Sequence, residues 1–336
     1  MIFCTLFDSR YLDKGLALYS SLVKVKDEFK LYVFCFDEQC YNILNDMRLK
    51  YMVLIRLCDF ETEDLINVKN TRSPAEYCWT CTPFIIKYVL EKFNEECCTY
   101  IDADIYFFSS PKILFNEIPK DKDVMIVSHF FSNTPYDRVL EKLYGKYCVQ
   151  FNFFRNNEYG MQVLNWWADK CYEWCYAKIE KDRMGDQKYL NKFELLFPQT
   201  YAVKNRGAGI APWNFKQYTY DNHNFVYIND KKIPVVFYHF QNLRYISSNS
   251  VNINIGKGDN KLKQYLYCNY QYEILIIREK LMNNYDIKFD LKKNYSRNVI
   301  SKFIRRNIMQ YAIRNKNDII SYDNAIQYVE KVEKEL

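Results

Sequence analysis

The sequence predicts an α/β domain followed by a helical C-terminal appendage, and three observations carry that prediction. The opening residues read strand, helix, strand within about 35 positions, the βαβ beginning of an α/β domain. Two aspartates one residue apart, Asp102 and Asp104, interrupt an otherwise apolar and aromatic run from Cys97 to Phe108. From Leu262 onward the apolar spacing turns helical.

Taken in order, residues 2–7 are a short apolar run suited to a buried strand, stopped by Asp8-Ser9-Arg10. Leu16, Leu18 and Leu22 mark a helix over 12–23, and residues 30–36 a second strand. Ligands of such folds bind at the carboxyl ends of the strands, and Asp8 and Tyr11 lie just past the first of these ends. A carboxylate there can accept an N–H of a base, and an aromatic ring can cover its face. The other reading of Asp8 is a helix N-cap. A strand follows at 52–57, then a helix over 77–93 with Pro83 near its start, where proline is tolerated.

In an extended chain, residues i and i+2 point to one side, so Asp102 and Asp104 are expected to face one site. Burying two like charges that close is costly unless a cation sits between them. A hard divalent ion, Mn²⁺ or Mg²⁺, is the natural occupant. The plainer alternative is a strand ending in a solvated turn.

Beyond the pair, residues 111–115 read as a turn and short helix, 123–128 as a strand, and 130–145 as a less regular, Tyr-rich segment suited to shaping an acceptor site. Residues 149–156 alternate polar and apolar side chains, which puts Gln150 and Asn152 on one strand face. An aromatic helix follows over 160–178, its rings more suited to a core than to a ligand platform. Gly185-Asp186-Gln187 then sets an acid and an amide at a helix start behind a glycine. Asp186 is equally placed to cap that helix. Lys204 to Asn214 is a small-residue loop flanked by cations, where backbone N–H groups can approach a phosphate. The last clear strand, over 233–240, has His239 at its carboxyl end.

These stretches carry a resemblance. Tyr100-Ile-Asp-Ala-Asp-Ile-Tyr-Phe-Phe-Ser-Ser-Pro111 resembles the signature of nucleotide-sugar glycosyltransferases of the Rossmann-like GT-A fold, of the variety related to glycosyltransferase family 8. Phe3-Cys-Thr-Leu-Phe-Asp-Ser-Arg-Tyr11 is similar to that family's opening strand and nucleoside loop, and Gly185-Asp-Gln187 and Ala211-Pro-Trp-Asn214 to its later motifs. The similarity spans residues 2–246, which implies a catalytic domain over 1–246, a linker or loop over 247–260 and a helical appendage over 261–336. It also implies roles. Thr5, Asp8 and Tyr11 would hold the nucleoside, Asp102 and Ala103 the donor, and Lys87 its phosphates or ribose. Asp102, Asp104 and His239 would ligate the metal; Gln150, Asn152, Asp186 and Gln187 would address the donor sugar. Where the family continues with His-x-x-Gly-x-x-Lys, this chain runs His239-Phe-Gln-Asn-Leu-Arg244, so Arg244 is the expected replacement for the lysine on the diphosphate.

Composition sets the remaining bounds. The net charge of +6 is mild and suits an anionic substrate or membrane surface without calling for nucleic acid, and no nucleic-acid partner is expected. The 12 cysteines lie mostly in apolar segments and no export signal is recognisable, so free thiols in a reducing cytoplasm are expected. Cys78-x-x-Cys81 and Cys171-x-x-x-Cys175 lack His partners at finger spacing and read as packing. Residues 291–313 place Ile300, Phe303, Ile304 and Ile308 against Lys302, Arg305 and Arg306, the pattern of a helix making peripheral contact with the cytoplasmic membrane face or, as its plainer alternative, of a helix docked on the catalytic domain with its cations in water.

Together these signals lead to the expectation of a metal-dependent glycosyltransferase in polysaccharide biosynthesis. It would move sugar from a nucleoside diphosphate, UDP before others, to a hydroxyl of a glycan or glycolipid. The resemblance leans to retention; inversion needs a carboxylate base, for which Asp186 is the one motif candidate. Two rivals stand beside it: an inactive sugar-nucleotide-binding scaffold, and a nucleotidyltransferase sharing the fold. The latter asks for a Gly-rich N-terminal phosphate loop, which Asp8-Ser-Arg-Tyr-Leu-Asp-Lys-Gly15 is not.

Overall fold

The structure, a computed structural model, describes residues 1–241, 243–247, 250–253, 255, 258–289 and 319–335. The helix expected over 291–313 lies outside the described residues. The chain forms two compact units, Met1–Ile210 with Pro234–His239, and Ala211–Ile233 with Phe240–Leu336.

The first unit is α/β, as expected. Its strands are β1 (Ile2–Phe7), β2 (Lys30–Cys35), β3 (Met52–Arg56), β4 (Cys97–Ile101), β5 (Ile105–Phe107), β6 (Val124–Ser128), β7 (Tyr147–Arg155) and β8 (Thr200–Ala202). Seven of them form one sheet in the order β3-β2-β1-β4-β7-β6-β8. β1 to β4 run parallel, β7 is antiparallel to both its neighbours, and β8 is parallel to β6. The chain steps outward from β1 to β2 and β3, then returns to the other side of β1 as β4. That reversal makes the carboxyl ends of β1 and β4 a topological switch point, the place where open α/β sheets bind ligands.

β1, β2 and β7 are buried almost throughout, which explains their near-continuous apolar sequence. One core cluster joins Cys4, Phe34, Cys98 and Phe154 of the sheet to Cys81, Ile85 and Val89 of the helix Pro74–Lys92, and to Leu164, Trp167 and Cys171 of the helix Glu158–Glu173. All the cysteines are free, and Cys81, Cys171 and Cys175 are packed in this core.

Several boundaries differ from the sequence reading, each for a local reason. The helix expected to begin at 77 begins at Pro74. Ser73 accepts from the Glu76 N–H while Glu76 accepts from the Ser73 N–H, a capping box with proline in the first turn, so Pro83 lies inside the helix. Within 130–145, Thr134 caps a regular helix, Pro135–Tyr144. The aromatic helix starts at the Asn157 cap and stops at Trp174, whose backbone is extended. The strand expected over 233–240 is two strands, β11 (Lys231–Pro234) and β12 (Phe237–His239), interrupted after Pro234, which has no N–H to offer a ladder.

The second unit holds β9 (Thr219–Tyr220) and β10 (Phe225–Ile228) in a small sheet with β11. It also holds a second sheet of β13 (Arg244–Ser247), β14 (Ser250–Asn252) and β15 (Ile319–Ser321). The Ser- and Asn-rich stretch read as a loop thus contributes a strand. The helices Asn260–Tyr285 and Tyr322–Glu335 pack on each other.

Candidate active site

β12 stands outside the seven-stranded sheet, paired antiparallel to β5 with His239 opposite Ile105. This register carries His239 from far along the chain to the residue that follows Asp104. The Asp102–Asp104 segment is a turn rather than an extension of β4, closed by the Ile105 N–H on the Asp102 carbonyl at 3.3 Å. The two carboxylates therefore meet through the turn and not through strand alternation.

Asp104 Oδ1 lies 3.0 Å from His239 Nε2, and Asp102 Oδ2 lies 3.7 Å from the same nitrogen. One ligand atom from each of the three residues falls within 4.8 Å of the others, the one such metal-competent group among the described residues. Two carboxylates and an imidazole form a donor set that suits Mn²⁺ or Mg²⁺ with further oxygen ligands. The electrostatics agree. Burial, opposed by His239 and reinforced by the like charge of Asp104, holds the Asp102 carboxyl above its usual range, although Tyr100 donates to it at 2.8 Å. Burial works against Asp104 too, but His239 and Lys14 draw it down to about 2. Burial likewise disfavours charge on His239, yet Asp104 beside it holds the imidazole well above its ordinary value. In the metal-free protein His239 is thus the cation between the two carboxylates.

The other nitrogen of His239 is also held. Its Nδ1 donates to Gln150 Oε1 at 2.8 Å, and Gln150 is fully buried on β7. This leaves Nε2 as the atom that faces the aspartates, the arrangement metal-binding imidazoles use. Gly209 makes room for it. A Cβ there would come within 2.3 Å of Gln150 Nε2, and its φ of +74° is one that side chains rarely adopt. Cys148, next to both His129 and His239, is drawn to about 7; burial would raise it, but the two imidazoles outweigh that.

The remaining expected residues fall as follows. Asp186 is buried; burial first and the charge of Asp102 second push its carboxyl well above the usual range, and Thr82 hydrogen-bonds to it. It makes no side-chain cap of the 3₁₀ turn that follows, so the capping alternative is not realised. Gly185 before it has φ +52° and packs under Trp79. Gln187 donates to the Tyr144 carbonyl at 2.8 Å. Asn152 is buried and donates to the Val149 carbonyl, with its Oδ1 unpartnered. Thr5 is buried on β1, its hydroxyl also unpartnered, and Ala103 forms the tip of the aspartate turn. Asp8 caps the short 3₁₀ turn through the Arg10 N–H and also pairs with the Arg10 guanidinium. Tyr11 is half-exposed; its hydroxyl is raised by burial and then by Asp104, Asp8 and Asp102. Lys87 faces Glu91 at 3.7 Å along its own helix. Arg244 opens β13 in the second unit. Sequence reasoning missed Lys14 and Cys148, and gave Gln150 no link to His239.

No protein-family model matches the chain. It is 31% identical over 254 residues to the uncharacterized protein YfnF of Bacillus subtilis (strain 168), covering 74% of this chain and 84% of that one. The chain belongs to the YfnF family. YfnD of the same organism is 28% identical to this YfnF-family chain over 260 residues, 75% of this chain and 80% of YfnD. Among solved structures, this family member is similar to the galactosyltransferase LgtC in complex with donor and acceptor sugar analogs. That match has a TM-score of 0.47 and 13% identity over 74% of this chain and 88% of LgtC.

Proposed function

We propose that this chain is a metal-dependent glycosyltransferase of the GT-A type, taking its sugar from a UDP-sugar and delivering it to a hydroxyl of a glycan or glycolipid. The observation that carries the reading is the convergence of Asp102, Asp104 and His239 beside the switch point between β1 and β4. A divalent ion held by these three residues would neutralise the diphosphate as it leaves. Asp8 and Tyr11, at the end of β1, would receive the nucleoside. Burial and the charge of Asp102 raise the Asp186 carboxyl, which favours a form that can donate a hydrogen bond to a sugar hydroxyl. Retention of configuration is the course that the sequence resemblance implies.

The test is a panel of nucleoside diphosphate sugars with and without Mn²⁺, followed by melting temperature and by release of nucleoside diphosphate. Stabilisation and turnover by a UDP-sugar only with the ion support the reading, and NMR of the product reports its anomeric configuration. Stabilisation without turnover toward any acceptor would mark a binding scaffold. Absence of both with every donor would overturn the proposal.

A further inference from the structure

Resting on that reading, a question remains about charge. Two carboxylates are balanced by one divalent ion, and the donor then adds a diphosphate whose negative charge grows as the sugar leaves. A site of this kind needs a further cation. Of the cations expected from the sequence, Lys87 faces Glu91 at 3.7 Å along its own helix. Arg10 is on the correct loop but is committed to Asp8, on which its Nε donates at 2.9 Å.

Lys14 is placed differently. It sits in the first turn of the helix Leu12–Lys24, directly after the end of β1, and is partly buried. Its Nζ rests 3.7 Å from the centroid of the Tyr11 ring rather than on a carboxylate. Tyr11 closes the short turn at the carboxyl end of β1, and β1 pairs with β4, the strand that leads into Asp102 and Asp104, so ring and ammonium lie on the loop at the switch point. An ammonium parked on an aromatic face is held weakly and on a flexible stem, so it can turn to a stronger anion at little cost.

We propose that Lys14 is the cation that meets the diphosphate of the donor, so that in this chain a phosphate-binding charge comes from the first turn after β1. Lys14 is a binding residue in this assignment, and its charge, more than its shape, is what matters.

The experiment titrates full-length wild type, Lys14→Gln and Lys14→Arg with Mn²⁺ alone, and then, with Mn²⁺ present, with uridine, UDP and inorganic pyrophosphate. Lys14→Gln should weaken UDP and pyrophosphate by about tenfold, the effect of losing one charge-assisted contact, while uridine is unchanged. Mn²⁺ alone should bind as tightly or more tightly, because a cation near Asp104 has been removed. These opposite signs separate a lost contact from a damaged fold, which would weaken both. Lys14→Arg should keep most of the UDP affinity. If wild type binds UDP and Lys14→Gln binds it equally well, the Lys14 assignment is overturned and the donor reading survives. If wild type with Mn²⁺ binds neither UDP nor pyrophosphate, the donor reading itself fails, and this assignment with it.

Discussion

Replacing Asp104 by Asn keeps an oxygen where the carboxylate was and removes one charge. At an oxygen–ion distance of about 2.1 Å, that charge and a divalent ion attract by about 4 kcal/mol at an effective dielectric of about 80 and about 16 kcal/mol at about 20. Even the smaller figure is nearly a thousandfold in affinity, about three decades. Asp104 lies at 3.0 Å from His239 with 16% of its side chain exposed, and stripping water from ion and carboxylate offsets most of any larger attraction, so the smaller figure is the closer guide. The metal-free protein also loses something. Asp104 is held at about 2 against a usual 3.8, worth about 2 kcal/mol at neutral pH. Because the carboxylate is depressed, this contribution is present above the unfolded value and disappears as pH falls through about 2. Asp104→Asn should therefore melt a few degrees lower at neutral pH and converge with wild type at the acid end. Calorimetric titration with Mn²⁺, beside melting scans with and without the ion, reads both effects. An Mn²⁺ affinity within threefold of wild type would refute the assignment of Asp104 as a ligand.

His239→Ala should weaken Mn²⁺-dependent UDP binding while sparing any metal-free component, and identical calorimetric affinities in both proteins would make His239 a core histidine. In wild type, the raised His239 titration means that the ion displaces a proton, so Mn²⁺ affinity should climb with pH until His239 deprotonates unaided. Its stabilisation of the metal-free fold runs the other way, full below about 6.5 and lost as pH rises through the raised value; calorimetry in buffers of different ionisation enthalpy counts the released proton. Gln150→Leu removes the acceptor at Nδ1 and should cost about tenfold in Mn²⁺ affinity. Gly209→Ala should reproduce that loss by displacing Gln150, and normal Mn²⁺ binding in both variants would remove Gln150 from the metal site. Asp186→Asn removes a carboxyl whose ionisation burial opposes, so it should melt at or above wild type, with the gain growing as pH rises above the unfolded carboxyl value; a loss that grows with pH would show that the fold stabilises the ionised form.

The parts of this molecule that were legible in the sequence are those written locally. Residues 2–36 spell out β1, a helix and β2 by period alone, and Asp102, Asp104 and a strand ending in His239 could each be found by inspection. That these three meet depends on β5 pairing with β12, a long-range register no spacing reveals. Gln150 was read on the correct strand, but its partner lies on another one. Lys14 is only one helical turn from Tyr11, yet a lysine in a helix gives no sign of what lies beside it. The capping signals Ser73-Pro-Ala-Glu76 and Thr134-Pro-Tyr-Asp137 were present in the sequence, and they mark helix starts that apolar periodicity overlooks.

The β5–β12 ribbon makes the site a clasp. Only three residue pairs join the two strands, and a slip of one residue would turn His239 to the opposite face. An ion shared by Asp102, Asp104 and His239 ties the two strands together at one end of that ribbon, closing a long excursion of chain in the manner of a cross-link. Its presence would then be recorded in the backbone itself. Slowed amide exchange at Phe237, Tyr238 and His239 on adding Mn²⁺ reports a filled site before any nucleotide or sugar is supplied.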